Sequence, residues 1–403
     1  MDYDVIVLGG GPSGSSAAIH LSRYGKKVLL LDRHKFPRDK ICGDGISGRS
    51  VAMLRELGLM EEFSKVEHED MYGVTFSSPD GTVVPVPSKA QDGSAPGFVC
   101  RRMVFDNVLF QAAKKSAAKT MEEFLATEIL KEGEMVVGVK GTYAGKEMEF
   151  RAKAVVCADG VGGISARQLG TVNEDDSHQY AGMRAYFENV GGMKDKIELH
   201  FVKEALPGYF WIFPLPDGKA NVGIGITVKE MKKGKINLSR TMEDIINKNS
   251  TFKDRFKDAK RTSDIRSWLL PLASKNIKRY GNGYVLVGDA ASLIDPFTGE
   301  GIGNALTSGK IAAQVIAEAL DENDVSEKKL SQYQKRLYAI IGNEVKDNYR
   351  LQGMCNSEFL LNMVIRKAKR SSDIRAVISD ALIDPDNHGK LADPIFILKA
   401  IFA

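Results

Sequence analysis

The chain has 403 residues, of which 43% are hydrophobic and 27% are charged. These proportions exclude a largely disordered protein. The length suits two domains, or one domain with large insertions. The formal net charge of +4 is too small to favour nucleic acid binding.

The first predicted elements are a strand at 4–8, a helix at 13–24 and a strand at 28–31. Both strands are continuous apolar runs, as in a parallel sheet covered on both faces. The stretch 5–22 carries no charged residue, but its consecutive glycines and its proline make it a poor bilayer helix. The acidic start of the chain does not match a signal peptide. We therefore expect an α/β domain here and not a membrane anchor.

A G-x-G-x-x-G turn, formed by Gly9, Gly11 and Gly14, joins the first strand to the helix. Gly9 permits the tight turn, Gly11 lets the backbone approach a pyrophosphate, and Gly14 lets the helix pack against the strand. Asp32 closes the second strand, where its carboxylate can accept hydrogen bonds from an adenosine ribose. The motif predicts a dinucleotide site, and the alternative is a plain turn followed by a solvated aspartate.

The region from about 180 to 227 has a different character. The segment 196–201 alternates polar and apolar residues, and a turn at 216–218 separates two further strand-like runs. This alternation is typical of an antiparallel sheet with one covered face. A buried-strand pattern returns at 283–289, and a helix is predicted at 301–320. We predict a dinucleotide fold that an antiparallel-sheet domain interrupts.

A second motif begins at Gly288 and Asp289 and continues through Pro296 to the glycine-rich segment 299–303. A carboxylate at a strand end can bind a polyol hydroxyl, and a glycine loop that leads into a helix can direct the helix N-terminus at an anion. With the adenosine site, this pair of motifs fits FAD; an unrelated turn is the alternative. No second G-x-G-x-x-G follows a strand, so electrons are expected from transiently bound NAD(P)H or from a ferredoxin-like carrier.

These motifs, with the stretches 102–106 and 158–160, resemble the p-hydroxybenzoate-hydroxylase-type flavoproteins over about residues 1–320. The resemblance implies a Rossmann-like FAD-binding domain of the GR2 type. It also implies that Arg102 contacts the FAD phosphates or ribose and that Asp159 orders the loop beside the cofactor. We interpret Asp106 as a surface residue of a helix.

One subgroup matches further. The run 209–214, followed by Gly223 and Gly225, resembles the Y-x-W-x-F-P…G-x-G signature of the geranylgeranyl reductases, and the stretch 40–47 resembles their cysteine–glycine loop. These enzymes reduce isolated double bonds in the prenyl chains of lipids or prenyl diphosphates. The resemblance implies a reductase that delivers a hydride from reduced flavin N5 together with a proton.

Three aromatic residues of this signature, Tyr209, Trp211 and Phe213, are two apart on a predicted strand and so share one face. Aromatic faces stabilise a developing carbocation, which protonation of an isolated alkene produces. Packing in a sheet core is the alternative. Cys42 either donates the proton or is simply small and apolar, whereas Cys100, Cys157 and Cys355 are expected to be buried and inert.

The predicted site consists of three overlapping sets of residues. The cofactor-binding set is Gly9, Gly11, Pro12, Ser13, Gly14, Asp32, Arg33, Cys42, Gly43, Arg102, Asp159, Gly160, Gly288, Asp289, Pro296, Gly299, Gly301 and Ile302. The substrate-binding set is Tyr209, Trp211, Phe213, Pro214, Gly223 and Gly225. The catalytic candidates are Cys42, Tyr209, Trp211 and Phe213, and no metal site is expected.

Three regions are expected along the chain. They are a discontinuous FAD-binding domain at 1–75, 98–170 and 275–325, an antiparallel-sheet substrate domain at 76–97 and 171–274, and a C-terminal helical region at 326–403. In that last region, apolar residues flank a basic cluster at 366–370, and the chain ends with the apolar run 394–402. This pattern favours docking on the inner face of an anionic membrane, and the alternative is a packed helix with a solvated basic face.

We therefore expect a cytoplasmic protein, a monomer or weak oligomer, that acts on an isoprenoid lipid or prenyl diphosphate in lipid biosynthesis. A flavin-dependent monooxygenase or halogenase is the first alternative. Halogenases, however, carry W-x-W-x-I-P, and only Lys65 and Lys89 could supply their reactive lysine between Gly45 and Cys100. A non-catalytic FAD-binding or lipid-carrier protein is the second alternative.

Overall fold

The computed structural model describes residues 3–90 and 92–383. Its strands are β1 (Tyr3–Leu8), β2 (Val28–Leu31), β3 (Gly45–Ile46), β4 (Glu69–Met71), β5 (Gly73–Ser77), β6 (Val83–Pro87), β7 (Gly97–Val99), β8 (Lys119–Met121), β9 (Leu125–Glu132), β10 (Met135–Tyr143), β11 (Lys146–Cys157), β12 (Gln179–Glu188), β13 (Ile197–His200), β14 (Tyr209–Leu215), β15 (Lys219–Thr227), β16 (Lys260–Arg261), β17 (Arg266–Pro271), β18 (Tyr280–Gly281) and β19 (Tyr284–Leu286). Its helices are α1 (Pro12–Arg23), α2 (Gly48–Leu57), α3 (Met60–Ser64), α4 (Arg102–Ser116), α5 (Ser165–Gln168), α6 (Val228–Lys233), α7 (Leu238–Lys248), α8 (Lys253–Phe256), α9 (Ile302–Asp321), α10 (Glu327–Met354), α11 (Glu358–Arg370) and α12 (Ser372–Ile383).

A largely parallel sheet is built from strands within residues 3–157 and from two later strands within residues 280–286. Its central order is β19-β11-β1-β2-β8, and all of these neighbours are parallel. Leu8 lies opposite both Leu31 and Cys157, and Cys157 lies opposite Leu286. The carboxyl ends of four strands therefore meet at one edge, which is where an open α/β sheet binds its ligand.

Helices α1 and α9 cover this sheet, close to the predicted ranges 13–24 and 301–320. The two helices pack closely through small residues, because a Cβ on Gly309 would lie 2.2 Å from the carbonyl oxygen of Ser13. The continuous apolar strands β1 and β2 are buried along most of their length, as expected for a sheet covered on both faces. The predicted α/β fold is thus confirmed.

The second large sheet has the order β16-β12-β15-β14-β13-β5-β6, with β17 also paired to β12. It is antiparallel except where β13 runs parallel to β5. The β14–β15 hairpin turns at Asp217 and Gly218, which have φ values of 60° and 69°. Such left-handed conformations suit the Asp-Gly pair in this turn. The antiparallel sheet predicted after residue 180 is therefore present.

The two faces of β14 bury different neighbours because successive strand residues point in opposite directions. Phe210 and Ile212 pack in a core with α7 and α8, whereas Trp211 and Phe213 pack in a separate cluster. This alternation leaves the aromatic face of the strand pointing away from the helices of its own sheet.

The C-terminal helices pack on both halves of the molecule. Leu330, Tyr333 and Leu337 of α10 belong to the same core as the parallel sheet, while α11 packs on β6 through Ile365 and Ala368. Among the described residues, no helix combines the length and the apolar character that crossing a bilayer requires. The apolar run 394–402 lies outside the residues that the structure describes.

Candidate active site

A cavity of about 700 Å³ lies at the edge where the parallel strands end, and residues of both large sheets line it. Gly9, Gly11 and Asp289 line it from the parallel sheet, and Trp211 and Phe213 line it from the antiparallel sheet. Its volume falls within the range of small-molecule and cofactor sites. The two sets of predicted motifs, far apart in sequence, therefore face one space.

Asp32 holds the glycine turn in place through a hydrogen bond to its backbone. Its carboxylate accepts hydrogen bonds from the backbone N–H of Gly10 and that of His34, both at 2.7 Å. Although burial favours the protonated form, these hydrogen bonds hold the pKa of Asp32 below its ordinary value. An ionised acceptor at the end of β2 fits a ribose hydroxyl.

The cavity wall fits a dinucleotide at two further points. A Cβ added at Gly11 would meet only the Arg38 guanidinium, at 3.5 Å, so the backbone there is open to a ligand. Asp159 lines the cavity, and burial raises its pKa. Its Oδ2 accepts a hydrogen bond from the backbone N–H of Ser165, which orders the following loop, while its buried Oδ1 has no hydrogen-bond partner. A buried carboxylate oxygen without a partner indicates that a hydrogen-bond donor from a bound ligand would pair with it.

Most predicted cofactor residues line the cavity, but Gly14, Gly288 and Pro296 lie behind its wall. A Cβ at Gly14 would be 1.8 Å from the carbonyl oxygen of Gly9, so this glycine serves helix–strand packing. The Gly288 N–H donates to Ser308 Oγ, and the Pro296 carbonyl accepts from the Gln352 side chain. These three residues support the site without lining the cavity.

The interpretation of Asp106 as a surface residue is wrong. Its carboxylate is fully buried and accepts hydrogen bonds from Arg102 at 2.6 and 2.8 Å and from Arg38 at 2.5 Å. Burial favours protonation, but the two guanidinium groups hold the pKa of Asp106 below its ordinary value. The buried face of α4 recurs at helical spacing from Arg102 through Phe105 to Leu109, and this spacing already places residue 106 inside.

Arg102 lines the cavity but is already engaged on two sides. Its guanidinium pairs with Asp106 and also lies against the Cys42 thiol. Asp289 is likewise paired, because Lys40 Nζ lies 2.7 Å from its carboxylate. Sequence reasoning missed Lys40 and Arg38, since the partners of both basic residues lie more than sixty positions away along the chain.

The aromatic residues of β14 form one wall of the cavity. The ring centroids of Tyr209 and Trp211 are 6.2 Å apart, and those of Trp211 and Phe213 are 6.3 Å apart. The loop that carries Cys42 crosses this wall closely, since a Cβ on Gly43 would lie 3.0 Å from the Phe213 ring. The three aromatic side chains thus share a face, as predicted, and the Cys42 loop joins them at the cavity.

The remaining predicted substrate residues, Pro214, Gly223 and Gly225, are not among the residues that line the cavity. A Cβ at Gly223 would lie 2.2 Å from Cζ2 of Trp211, and one at Gly225 would lie 3.7 Å from Cζ3. The Trp211 indole therefore lies on the bare backbone of β15. Gly223 and Gly225 were predicted to contact the substrate, but they contact Trp211 instead, because its ring fills the space where their side chains would be.

Two polar residues lie behind the wall. Sequence reasoning missed Asn221, and for Asp44 its position near Cys42 suggests only an influence on that thiol. Asn221 accepts a hydrogen bond from Trp211 Nε1 at 3.0 Å, and Asp44 is fully buried beside it. An asparagine in a strand of otherwise small and β-branched residues is unfavourable on propensity alone. This low strand propensity is the sequence feature that singles out Asn221 within β15.

The chain is similar to known FAD-binding proteins over most of its length. The family model described as an FAD binding domain matches residues 2–345. The chain is 33% identical to the digeranylgeranylglycerophospholipid reductase of Methanocella arvoryzae over 87% of this chain and 86% of the relative. The chain belongs to the geranylgeranyl reductase family of FAD-binding proteins. A further reductase of that name, from Methanopyrus kandleri, is 33% identical over 95% of this chain and 94% of its own.

Solved structures agree with the family fold. A geranylgeranyl bacteriochlorophyll reductase-like protein from Thermoplasma acidophilum superposes with a TM-score of 0.82 at 26% identity, covering 96% of this chain and 98% of the other. The flavin-dependent brominase Bmp2, as a triple mutant, gives a TM-score of 0.78 at 21% identity, with 96% and 98% covered. The brominase therefore shares the fold of this geranylgeranyl reductase family member, and the likeness extends no further.

Proposed function

We propose that this family member is an FAD-dependent reductase that saturates isolated C=C bonds of a geranylgeranyl or other prenyl chain on a lipid or prenyl diphosphate. The observation that carries the proposal is the shared cavity. The aromatic wall of β14 and the Cys42 loop face the same space as the dinucleotide turn, so an apolar chain and the cofactor can meet there. The curated relatives named as digeranylgeranylglycerophospholipid reductases support a digeranylgeranyl phospholipid as the substrate.

The chemistry explains why the wall is aromatic. Reduced FAD, when bound, supplies a hydride to one carbon of the double bond. Protonation of the other carbon gives the alkene carbocation character, since no carbonyl group is present to take up charge. The faces of Tyr209, Trp211 and Phe213 stabilise such a charge by roughly 0.5–2 kcal/mol each. The same rings exclude the water that would trap the cation.

Cys42 is our candidate for the proton donor. Its side chain is partly exposed and lines the cavity. Tyr209 is the competing donor, but its hydroxyl donates to the carbonyl oxygen of Thr298 at 2.8 Å, and burial raises its pKa. A phenol held in this way serves better as part of the wall than as an acid.

Helix α11 supports docking at a membrane surface. Phe359 is 73% exposed on this helix, which ends in the basic cluster 366–370. The opposite face packs on β6 through Ile365 and Ala368, so the helix is anchored while an aromatic side chain points outward. A helix with an exposed apolar residue near one end and basic residues at the other suits an anionic bilayer.

The proposed electron donor is NAD(P)H or a ferredoxin-like carrier.

The test of the function is an anaerobic reaction. Dithionite-reduced holoenzyme is mixed with a geranylgeranyl phospholipid in vesicles, and the products are analysed by mass spectrometry. We expect the mass to rise by two hydrogen atoms for each double bond saturated. An unchanged lipid in the presence of reduced, FAD-loaded protein would rule the function out.

The monooxygenase or halogenase alternative predicts an oxygen-dependent product that gains an oxygen or a halogen atom. The structure does not favour the halogenase. Lys65 and Lys89 are both exposed, and neither lines the cavity. Running the same reaction in air with halide distinguishes the two chemistries directly.

A further inference from the structure

Asn221 is the meeting point of three separate chain segments. Its Oδ1 accepts from Trp211 Nε1 at 3.0 Å, and its Nδ2 donates to the carbonyl oxygen of Cys42 at 2.7 Å and to the Asp44 carboxylate at 2.8 Å. The indole N–H can only donate and the carbonyl can only accept, so these partners fix the orientation of the amide. The side chain is fully buried and uses each of these contacts at once.

Asp44 is the second residue of this hydrogen-bonded link, by which we mean Asn221 and Asp44 together with the Cys42 carbonyl and the Trp211 indole. Its buried carboxylate accepts from Tyr186 at 2.8 Å and from the backbone N–H of Arg102 at 3.2 Å, in addition to Asn221. The residue has a φ of 68°, which is unusual without glycine. A strained backbone and a buried carboxylate both cost free energy. Their presence beside the candidate proton donor points to a role in the site.

We propose that Asn221 and Asp44 are positioning residues, which hold the Cys42 peptide and the Trp211 indole as one unit so that the loop and the aromatic wall keep a fixed separation. The proposal rests on the reductase function given above. The aromatic rings touch one another only through their faces and edges, and such contacts allow sliding. The hydrogen bonds from Asn221 are directional, and they tie the loop to the strand across 179 positions of sequence.

A fixed separation matters for this reaction because the proton and the stabilising ring must act on the same double bond. A misplacement of about 1 Å in an active site can lower the rate on the order of 100-fold. Substrate affinity depends mainly on the apolar area of the cavity, which the link does not contribute. Loss of the link is therefore expected to reduce kcat far more than it changes KM.

The test compares three variants of the full-length, FAD-loaded protein. Asn221→Leu removes all three hydrogen bonds at similar volume. Asp44→Asn keeps the shape but turns an N–H2 group toward at least one of three donors. Asn173→Leu is the matched control. Asn173 is also a buried asparagine that donates to a backbone carbonyl, that of His178, but its hydrogen bonds join residues 173–179 and not the Cys42 loop or the aromatic wall.

Two measurements are made on each variant. One is kcat and KM for a geranylgeranyl phospholipid under anaerobic, dithionite-driven conditions. The other is the ¹⁹F NMR spectrum of protein labelled with 5-fluorotryptophan. The chain has only two tryptophans, Trp211 and Trp268, so a Trp268→Phe sample assigns the Trp211 resonance without reference to activity.

We expect Asn221→Leu to lower kcat about 100-fold, with KM within about threefold, and to shift or broaden the Trp211 resonance. Asp44→Asn should lower kcat at least tenfold, and it keeps the proposal testable if Asn221→Leu does not fold. Asn173→Leu should leave both readouts near wild type. An unchanged Trp211 resonance in Asn221→Leu, a kcat within twofold of wild type in the folded link variants, or an equal kcat loss in the control would overturn the proposal.

Failure of the proposed function gives a different result. If wild-type holoenzyme does not saturate the lipid, the kinetic arm reports on the function alone. The ¹⁹F arm still shows whether Asn221 fixes Trp211, because it needs no substrate.

Discussion

The two glycines under Trp211 allow a prediction with its own control. Replacing Gly223 by Ala would put a Cβ 2.2 Å from Cζ2 of the indole and 2.4 Å from the Met183 carbonyl oxygen. Carbon atoms pack at about 3.5–4.0 Å, so the ring must move by at least about 1.3 Å, the difference between 3.5 and 2.2. Replacing Gly225 by Ala would put a Cβ 3.7 Å from both Cζ3 and the Ala181 carbonyl oxygen, which is ordinary contact.

The expected outcomes differ sharply although the substitutions are chemically identical. Overpacking of a closed site costs about 1–3 kcal/mol of stability. The overlap with the indole is relieved only if the ring moves off β15, away from its hydrogen bond to Asn221, and the overlap with the Met183 carbonyl requires β12 to shift as well. We expect Gly223→Ala to lose activity by about 100-fold and to unfold at a lower temperature. Gly225→Ala should stay within about twofold of wild type.

The assay is anaerobic single-turnover reduction of a geranylgeranyl phospholipid by FAD-loaded protein, normalised to bound flavin absorbance. Thermal unfolding of the same samples separates a displaced ring from a protein that fails to fold. Equal activity in the two variants would refute the idea that Gly223 seats the indole, and so would equal loss in both.

Three other predictions test further parts of the structure. Burial raises the pKa of Asp44 to about 6 despite hydrogen bonds from Asn221 and Tyr186. The stability that the folded protein gains from protonating Asp44 is therefore present below about pH 4 and is lost as the pH rises through 6. The melting temperature of wild type should fall relative to that of Asp44→Asn across that window. Arg102→Met removes one of the two guanidinium partners of the buried Asp106 and leaves Arg38, so it should lower the free energy of unfolding in denaturant by up to about 3–5 kcal/mol, the value for a buried charge left with no partner. Lys65→Met, in an exposed pair, should cost under about 1 kcal/mol, and similar costs would argue against the buried pairing. Tyr209→Phe should retain most of the activity and Tyr209→Leu should not, because the ring and not the hydroxyl is proposed to act; a large loss in Tyr209→Phe would return the proton-donor role to Tyr209.

The sequence was sufficient where the signal is local. The glycine turn, the strand on either side of it and Asp32 lie within one short segment, so their geometry follows from spacing alone. The shared face of Trp211 and Phe213 follows in the same way from the period of a strand. These features needed no knowledge of which elements pack together.

The parts that sequence reasoning missed depend on contacts between distant segments. Asn221 and Cys42 come together only because β15 passes beneath the loop after β2. The role of Gly223 could not be distinguished from substrate contact until the position of the Trp211 ring was known. Asp106 is different, because the helical spacing of its buried neighbours was available in the sequence and was not used.

The strand order of the parallel sheet has a consequence for biosynthesis. Gly9 is translated well before Asp289, which follows β19, the strand that pairs with β11 on the far side of β1. Domains generally fold as they are made, from the N-terminus onward. Here the dinucleotide turn is translated before the second sheet and before the segment 289–302, which supplies part of the cavity lining. A chain that stops short of residue 302 therefore offers a cofactor only part of that lining.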